Sequence, residues 1–181
     1  MGSSPVRVTS NNLNRTPQLE GGRFGLFHLY KEEYLVVVNH ISIGNSGEYF
    51  VAAELERRGF SVAVPMSNTE LFDLLIFHRE TKKQFAIQVK TTHSNKKEWI
   101  MSKKNEFISS ENIFYIFVSM NGLNSPEYHI VPSEIVSNTI KETHLHWLNT
   151  PGRNGAKHND SSMRKFEDYD DNFLNNWDSL K

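Results

Sequence analysis

Apolar and polar positions alternate most regularly between Phe72 and Lys90. The runs Phe72-Asp73-Leu74-Leu75-Ile76-Phe77-His78 and Gln84-Phe85-Ala86-Ile87-Gln88-Val89-Lys90 are short and rich in β-formers. The link from Arg79 to Lys83 has no apolar residue, so the pattern predicts two strands in a hairpin. Side chains alternate faces along a strand. Asp73 therefore shares a face with Leu75 and Phe77, while Gln88 and Lys90 lie opposite Phe85, Ile87 and Val89. An acid, an amide and an amine emerge from segments that otherwise read as core. Each costs roughly 1–3 kcal/mol if buried without a partner, so the three are expected to converge on one another, on water or on a metal.

Upstream, the residues between Asn45 and Gly59 are mostly helix formers, with Asn45 or Ser46 as a natural N-cap and Gly59 as a stop. Glu48, Ala52 and Leu55 fall on one face of that helix. Glu48 can look toward the sheet or act as a capping-box partner of Asn45, and the two are compatible. Phe60 to Val64 reads as a strand. Ser102 is expected to cap a helix running to about Ser109. The run from Asn112 to Met120 is apolar almost throughout, as in a strand covered on both faces. Tyr128 to Val131 forms a further strand after the Asn121-Gly122 turn, and Pro132-Ser133-Glu134 opens a helix to about Thr143. The predicted order is α-β-β-β-α-β-β-α, an α/β fold with a mixed sheet flanked by helices.

The spacing of Asp73 and Gln88-Val89-Lys90 resembles the signature of the PD-(D/E)xK nuclease superfamily, an acid at one strand followed by an acid or amide, any residue and lysine on the next. The stretch Gly47 to Phe60 resembles the first helix of that fold, which in resolvase-like and restriction-like members carries a glutamate near its start. The likeness spans roughly Gly44 to Val131. One departure is Phe72, where many resolvase-like members have proline. The resemblance implies a restriction-endonuclease-like fold and a catalytic set of Glu48, Asp73, Gln88 and Lys90. It also implies Mg, or Mn in its place, held by Asp73, Gln88, the Val89 main-chain carbonyl and Glu48. Lys90 would orient the attacking water or stabilise developing charge. The implied activity is metal-dependent hydrolysis of DNA, branched or structured DNA included, by a homodimer, since two strands need two sites. The alternative is a catalytically silent nucleic-acid-binding or assembly module that kept the fold.

Charge changes this picture locally rather than globally. The chain of 181 residues carries a net charge of −1, so it is no general polyanion binder. Arg79, Lys82, Lys83, Lys90, Lys96, Lys97, Lys103 and Lys104 nevertheless crowd one segment against Glu80 and Glu98, while the stretch from Glu167 to the end is acidic. Lys96, Lys97, Lys103 and Lys104 are thus candidates for phosphate contact. Lys103 and Lys104 at a helix start oppose the helix dipole, which calls for another reason. Arg153 and Arg164 belong to a late segment that reads either as a second phosphate-binding element or as an ordinary surface loop.

Residues 1–22 are polar and aperiodic and are expected to be disordered or vector-derived. The nuclease-like domain is placed at 23–145, with Phe24 to Val38 as a strand or short helix. Residues 146–181 are placed as an extension packed on it, anchored by Phe166, Phe173, Trp177 and Leu180. There is no cysteine, which excludes disulfides and thiolate metal sites and fits a reducing cytoplasm. No apolar run has membrane-span length. His93, His144, His146 and His158 lack an HExxH pattern and read as surface or core residues rather than zinc ligands.

Overall fold

The computed structural model describes residues 39–66, 69 and 71–181; the expectations for 1–22 and for Phe24 to Val38 lie outside them. Helix α1 (His40–Arg57) begins earlier than the sequence suggested. Asn39 is its N-cap, the Asn39 side chain accepting a hydrogen bond from the Ser42 amide at 2.8 Å. Asn45 and Ser46 therefore sit inside the helix, and the capping box proposed for Asn45 and Glu48 does not form. The buried stripe is Ile43, Gly47, Val51 and Leu55, a four-residue repeat that puts one narrow face on the sheet. Gly59, at φ 90°, reverses the chain into the first strand.

Five strands make a mixed sheet in the order β1-β2-β3-β5-β6: β1 (Phe60–Ala63), β2 (Leu74–His78), β3 (Gln84–Thr92), β5 (Ile113–Ser119) and β6 (Glu127–Pro132). All neighbours are antiparallel except β3 and β5, which run parallel from Ala86↔Ile113 to Thr92↔Ser119. The expected α/β class with a mixed sheet flanked by helices is what the chain forms.

Strand β5, between β3 and β6, divides the core by its two faces. Phe114, Ile116 and Val118 pack beneath α1 with Leu74, Ile87, Val89, Trp177 and Leu180. Tyr115 and Phe117 pack on the other side with Trp99, Met101, Phe166 and with Val136 and Ile140 of α2 (Ser133–Asn149). The apolar run from Asn112 to Met120 is thus covered on both faces, as its composition predicted.

Three elements differ from the sequence reading. The segment after Ser102 is a short 3-10 helix (Lys103–Phe107), because the Asn105 side-chain oxygen turns back to accept from the Ser102 backbone amide at 2.9 Å. Residues Glu98–Ser102 form β4, which pairs antiparallel with β7 (Met163–Glu167), placing Trp99 opposite Phe166 and Met101 opposite Arg164. This two-stranded ribbon covers the sheet face opposite α1, where Phe117 and Phe166 stack at 4.5 Å and 6° and the Trp99 indole donates to the Val118 carbonyl at 3.0 Å. Helix α2 continues to Asn149, so His144 and His146 are helical. Of the four expected tail anchors, Trp177 and Leu180 are buried beneath α1 and Phe166 is a strand residue.

Candidate active site

The site lies where β2 and β3 part. Their pairing begins at Leu74↔Ile87, whereas β3 runs on to Thr92, so among the described residues the last residues of β3 have no strand paired on that edge. Asp73, one residue before β2, closes the gap. Its amide donates to the Ile87 carbonyl at 2.8 Å, and its Oδ2 accepts from the Val89 amide at 2.7 Å. N–H and C=O of a strand residue face the same neighbour. The Val89 carbonyl consequently points into the same gap, with no strand among the described residues to pair it. One oxygen of Asp73 is committed to holding the backbone, and the other carries no hydrogen bond among the described residues.

Gln88 and Lys90 stand on the β3 face that bears the ribbon, opposite Tyr115 and Phe117 of β5. The alternation that set them apart from Phe85, Ile87 and Val89 is preserved. Glu48 arrives from α1, and the reason it can come so close is its neighbour. A Cβ built on Gly47 would fall 1.9 Å from Thr91 Oγ1, so only glycine lets α1 lie this near β3. Glu48, Asp73, Gln88 and Lys90 line one open cleft of about 650 Å³, together with Asn45, Lys104 and Asn105. The four residues singled out from the sequence are therefore brought together, with the Asp73 and Lys90 side chains on the same cleft rather than on opposite sides of the sheet.

The charges in the cleft feel one another. Partial burial, reinforced by the Asp73 charge and opposed by Lys90, raises the Glu48 carboxyl above its ordinary range. Burial also lowers the Lys90 ammonium, and Lys104 pushes the same way against the attraction of Asp73 and Glu48. Gln88 is 5% exposed, and its Oε1 is buried with no hydrogen-bond partner among the described residues. A lone buried amide oxygen of this kind costs about 1–3 kcal/mol. It is a hard neutral oxygen on a residue that shares the cleft with the Glu48 and Asp73 carboxylates, and with the Val89 carbonyl these make an all-oxygen set of the kind that suits magnesium or manganese. Among the described residues no three His, Cys, Asp or Glu side chains gather as a metal cluster. A cation here would need the amide and carbonyl as well as the two acids.

The basic residues proposed for phosphate contact divide. Lys96 and Arg153 are exposed and take part in no ion pair among the described residues; the same holds for Lys104, which lines the cleft. Lys97 is bound to Asp171, and Lys103 to Asp160 at 3.0 Å. Arg164 is 4% exposed, pairs with Glu106 and donates to the Ser161 and Met163 carbonyls. Its task is to tie the ribbon to the 3-10 helix, and it is no surface cation. His144 bonds Asp160 at 2.8 Å, and His158 stacks on Trp147 at 4.0 Å.

Two contributors escaped the sequence reading. Gly47 carried a visible signal, a glycine among strong helix formers, where it costs about 1 kcal/mol unless close packing requires it. Asn105 carried none, since its 2% exposure and its 3.0 Å donation to the Tyr115 hydroxyl exist only once the chain is folded.

No protein-family model matches the chain, and no curated protein sequence does. Among solved structures it is similar to a bacterial homing endonuclease, at 10% identity and a TM-score of 0.45, over 77% of this chain and 89% of that one. It is also similar to a Holliday junction resolvase from the archaeal hyperthermophile Archaeoglobus fulgidus, at 12% identity and a TM-score of 0.40, over 69% and 84%. Among the described residues no helix is long and apolar enough to cross a membrane.

Proposed function

We propose that the chain is a divalent-metal-dependent endonuclease that hydrolyses DNA phosphodiester bonds in the Glu48–Asp73–Gln88–Lys90 cleft. The observation that carries this reading is the unpartnered, buried Gln88 Oε1 beside two acids. Folding leaves that oxygen without a hydrogen bond, and a bound cation removes the penalty. Asp73, Gln88, the Val89 carbonyl and Glu48 would hold Mg or Mn. When bound, the ion supplies charge neutralisation at the phosphate and a more acidic water.

The chain's own groups account for the remaining demands. Asp73, pinned through Val89, fixes the cleft wall to the strand, so its free oxygen is preorganised. Lys90, seated on a rigid central strand, directs its ammonium at the phosphate oxygens where negative charge grows. Glu48, whose carboxyl burial and the Asp73 charge raise above its ordinary range, holds a proton more readily than a solvent-exposed carboxylate. Lys104 meets the flanking phosphate at the cleft rim. A duplex presents two strands to one cleft, so double-strand cleavage takes two copies of the chain.

One feature favours a second reading, a silent nucleic-acid-binding module. Gln88 stands where a carboxylate would bind a cation more tightly, and Asp73 spends one oxygen on the backbone. Calorimetric titration with Mn and a plasmid-nicking assay separate the two. The nuclease reading expects metal uptake and nicking by the native chain, with both reduced at least about 100-fold in Asp73→Asn and nicking alone reduced in Lys90→Met. DNA binding without metal uptake or nicking would establish the module instead. A parallel assay on RNA of the same sequence tests the choice of substrate.

A further inference from the structure

Behind the cleft wall lies a second concavity. The outer side of the β4–β7 ribbon and the adjoining side of α2 enclose a groove of about 370 Å³, lined among others by Ile100, Thr143, His144, Trp147, Met163 and Lys165. Its apolar members are open to solvent: Ile100 is 62% exposed, Met163 59% and Trp147 42%. Its charges are largely cancelled. Lys165 pairs with both Glu98 and Glu167, and Asp160 with His144 and Lys103. The groove therefore offers an aromatic and aliphatic floor with neutral hydroxyls and a ring nitrogen, and little to attract a phosphate.

Its position gives that chemistry a use. Ile100 lines both the groove and the catalytic cleft. Across the ribbon Ile100 faces Lys165, and Ser102, a cleft residue, faces Met163, a groove residue. Neighbouring strands are about 4.8 Å apart, so the groove starts one strand beyond the cleft. Lys104, two residues after Ser102, supplies an unpaired cation on the cleft side. Lys104 and the groove are thus linked through Ile100, which lines the cleft beside Lys104 and the groove beside Met163. His158 stacked on Trp147 holds the indole in place.

We infer that this groove receives an unpaired nucleobase of the strand held in the cleft. This rests on the nuclease reading and narrows its substrate to DNA with a single-stranded or bulged nucleotide beside the cut. A base paired in a duplex cannot enter, because its edge and faces are already engaged, whereas a free base gains stacking and loses no pairing.

The test uses Asp73→Asn, which is expected to bind DNA without cutting it, and three oligonucleotides: a perfect duplex, the same duplex with one unpaired base, and a single strand. Trp99 and Trp177 are 2% and 5% exposed, so acrylamide quenching reports chiefly on Trp147. The bulged duplex is expected to bind about 10-fold more tightly than the perfect one and to shield Trp147. Adding Trp147→Ala, or Met163→Ala as a second probe at a residue that lines the groove and not the cleft, is expected to abolish the preference and leave perfect-duplex affinity unchanged. Equal affinity for perfect and bulged duplexes, or a preference that survives both substitutions, overturns the groove assignment alone. If no oligonucleotide binds, the nuclease reading falls with it. Shielding of Trp147 that grows with protein concentration without DNA assigns the groove to a second copy and overturns the nucleobase.

Discussion

Two polar sites in the apolar interior have opposite fates. On β6, His129 is fully buried and its Nδ1 meets Asp168 Oδ2 at 2.6 Å; Asp168 in turn accepts from the Asn172 and Phe173 amides at 2.9 and 3.0 Å. The other ring nitrogen has no hydrogen-bond partner, and the His129 ring lies edge-on to Trp99 at 5.1 Å. That cluster is a sealed knot holding the chain after β7 against the sheet. On β3, Gln88 is nearly as deeply placed, and the residue that carries the unpartnered oxygen lines a cleft. Each site keeps one unpartnered atom, but that of His129 is walled in by Asp168 and the Trp99 ring, whereas that of Gln88 belongs to a residue lining a cleft with two acids.

Substitutions should keep these two sites apart. The largest effect on folding is expected from Asp168→Ala, which strips His129 and two backbone amides of their acceptor at a cost of about 3 kcal/mol. Urea denaturation measures the loss, while Mn affinity of the folded fraction stays as in the native chain. An equal loss of Mn affinity would show that the knot and the cleft are one unit. Gly47→Ala acts in reverse. The new methyl group drives α1 off Thr91, and Mn affinity is expected to fall about 10-fold with a stability change near 1 kcal/mol. Thr91→Ala in the same chain should recover most of that affinity.

Smaller still is the change expected from Gln88→Glu, which returns a charge to the donor set. Calorimetry should show Mn bound about 10-fold more tightly. Affinity that is unchanged or weaker removes Gln88 from the ligands.

The mildest prediction concerns pH. Glu48 must lose its proton to act as a ligand, and its carboxyl is raised; Lys90 must keep its proton to act as a cation, and its ammonium is lowered. Both limbs of the activity profile are therefore drawn inward, the acid limb above 4.5 and the alkaline limb below 10.5. In Lys90→Arg the alkaline limb should vanish, since arginine does not titrate in that range. Stability follows the same shifts. A raised Glu48 contributes stability below its unfolded value that is lost as pH rises through its folded one. A lowered Lys90 contributes above its unfolded value and loses that contribution as pH falls through its folded one. At neutral pH both groups carry a burial cost. Glu48→Gln should therefore stabilise the fold slightly while impairing nicking, an effect limited to about 0.5 kcal/mol by solvent screening.

That Asp73, Gln88 and Lys90 would gather in one place was legible before folding, because the signal is local. Asp73, Gln88 and Lys90 interrupt apolar runs by their own alternation, and β5 declared itself by being apolar on both faces. Glu48 was found by its place in a helix, although the helix starts at Asn39 and carries no capping box at Asn45. The phosphate-contact set was less legible, because a lysine or arginine looks the same in sequence whether free like Lys104 or consumed like Arg164. Only the partners Glu106, Asp160 and Asp171 distinguish them.

Sequence alone determined the strands that line the cleft, since a side chain's face follows from its parity along the strand. Tertiary structure decided the rest: the pairing of β4 with β7 across more than sixty residues (Glu98↔Glu167), the close pass of Gly47 over Thr91, and the groove those elements bound. Parity is a property of neighbours along the chain, whereas these contacts join segments whose mutual attraction depends on a core that exists only after folding.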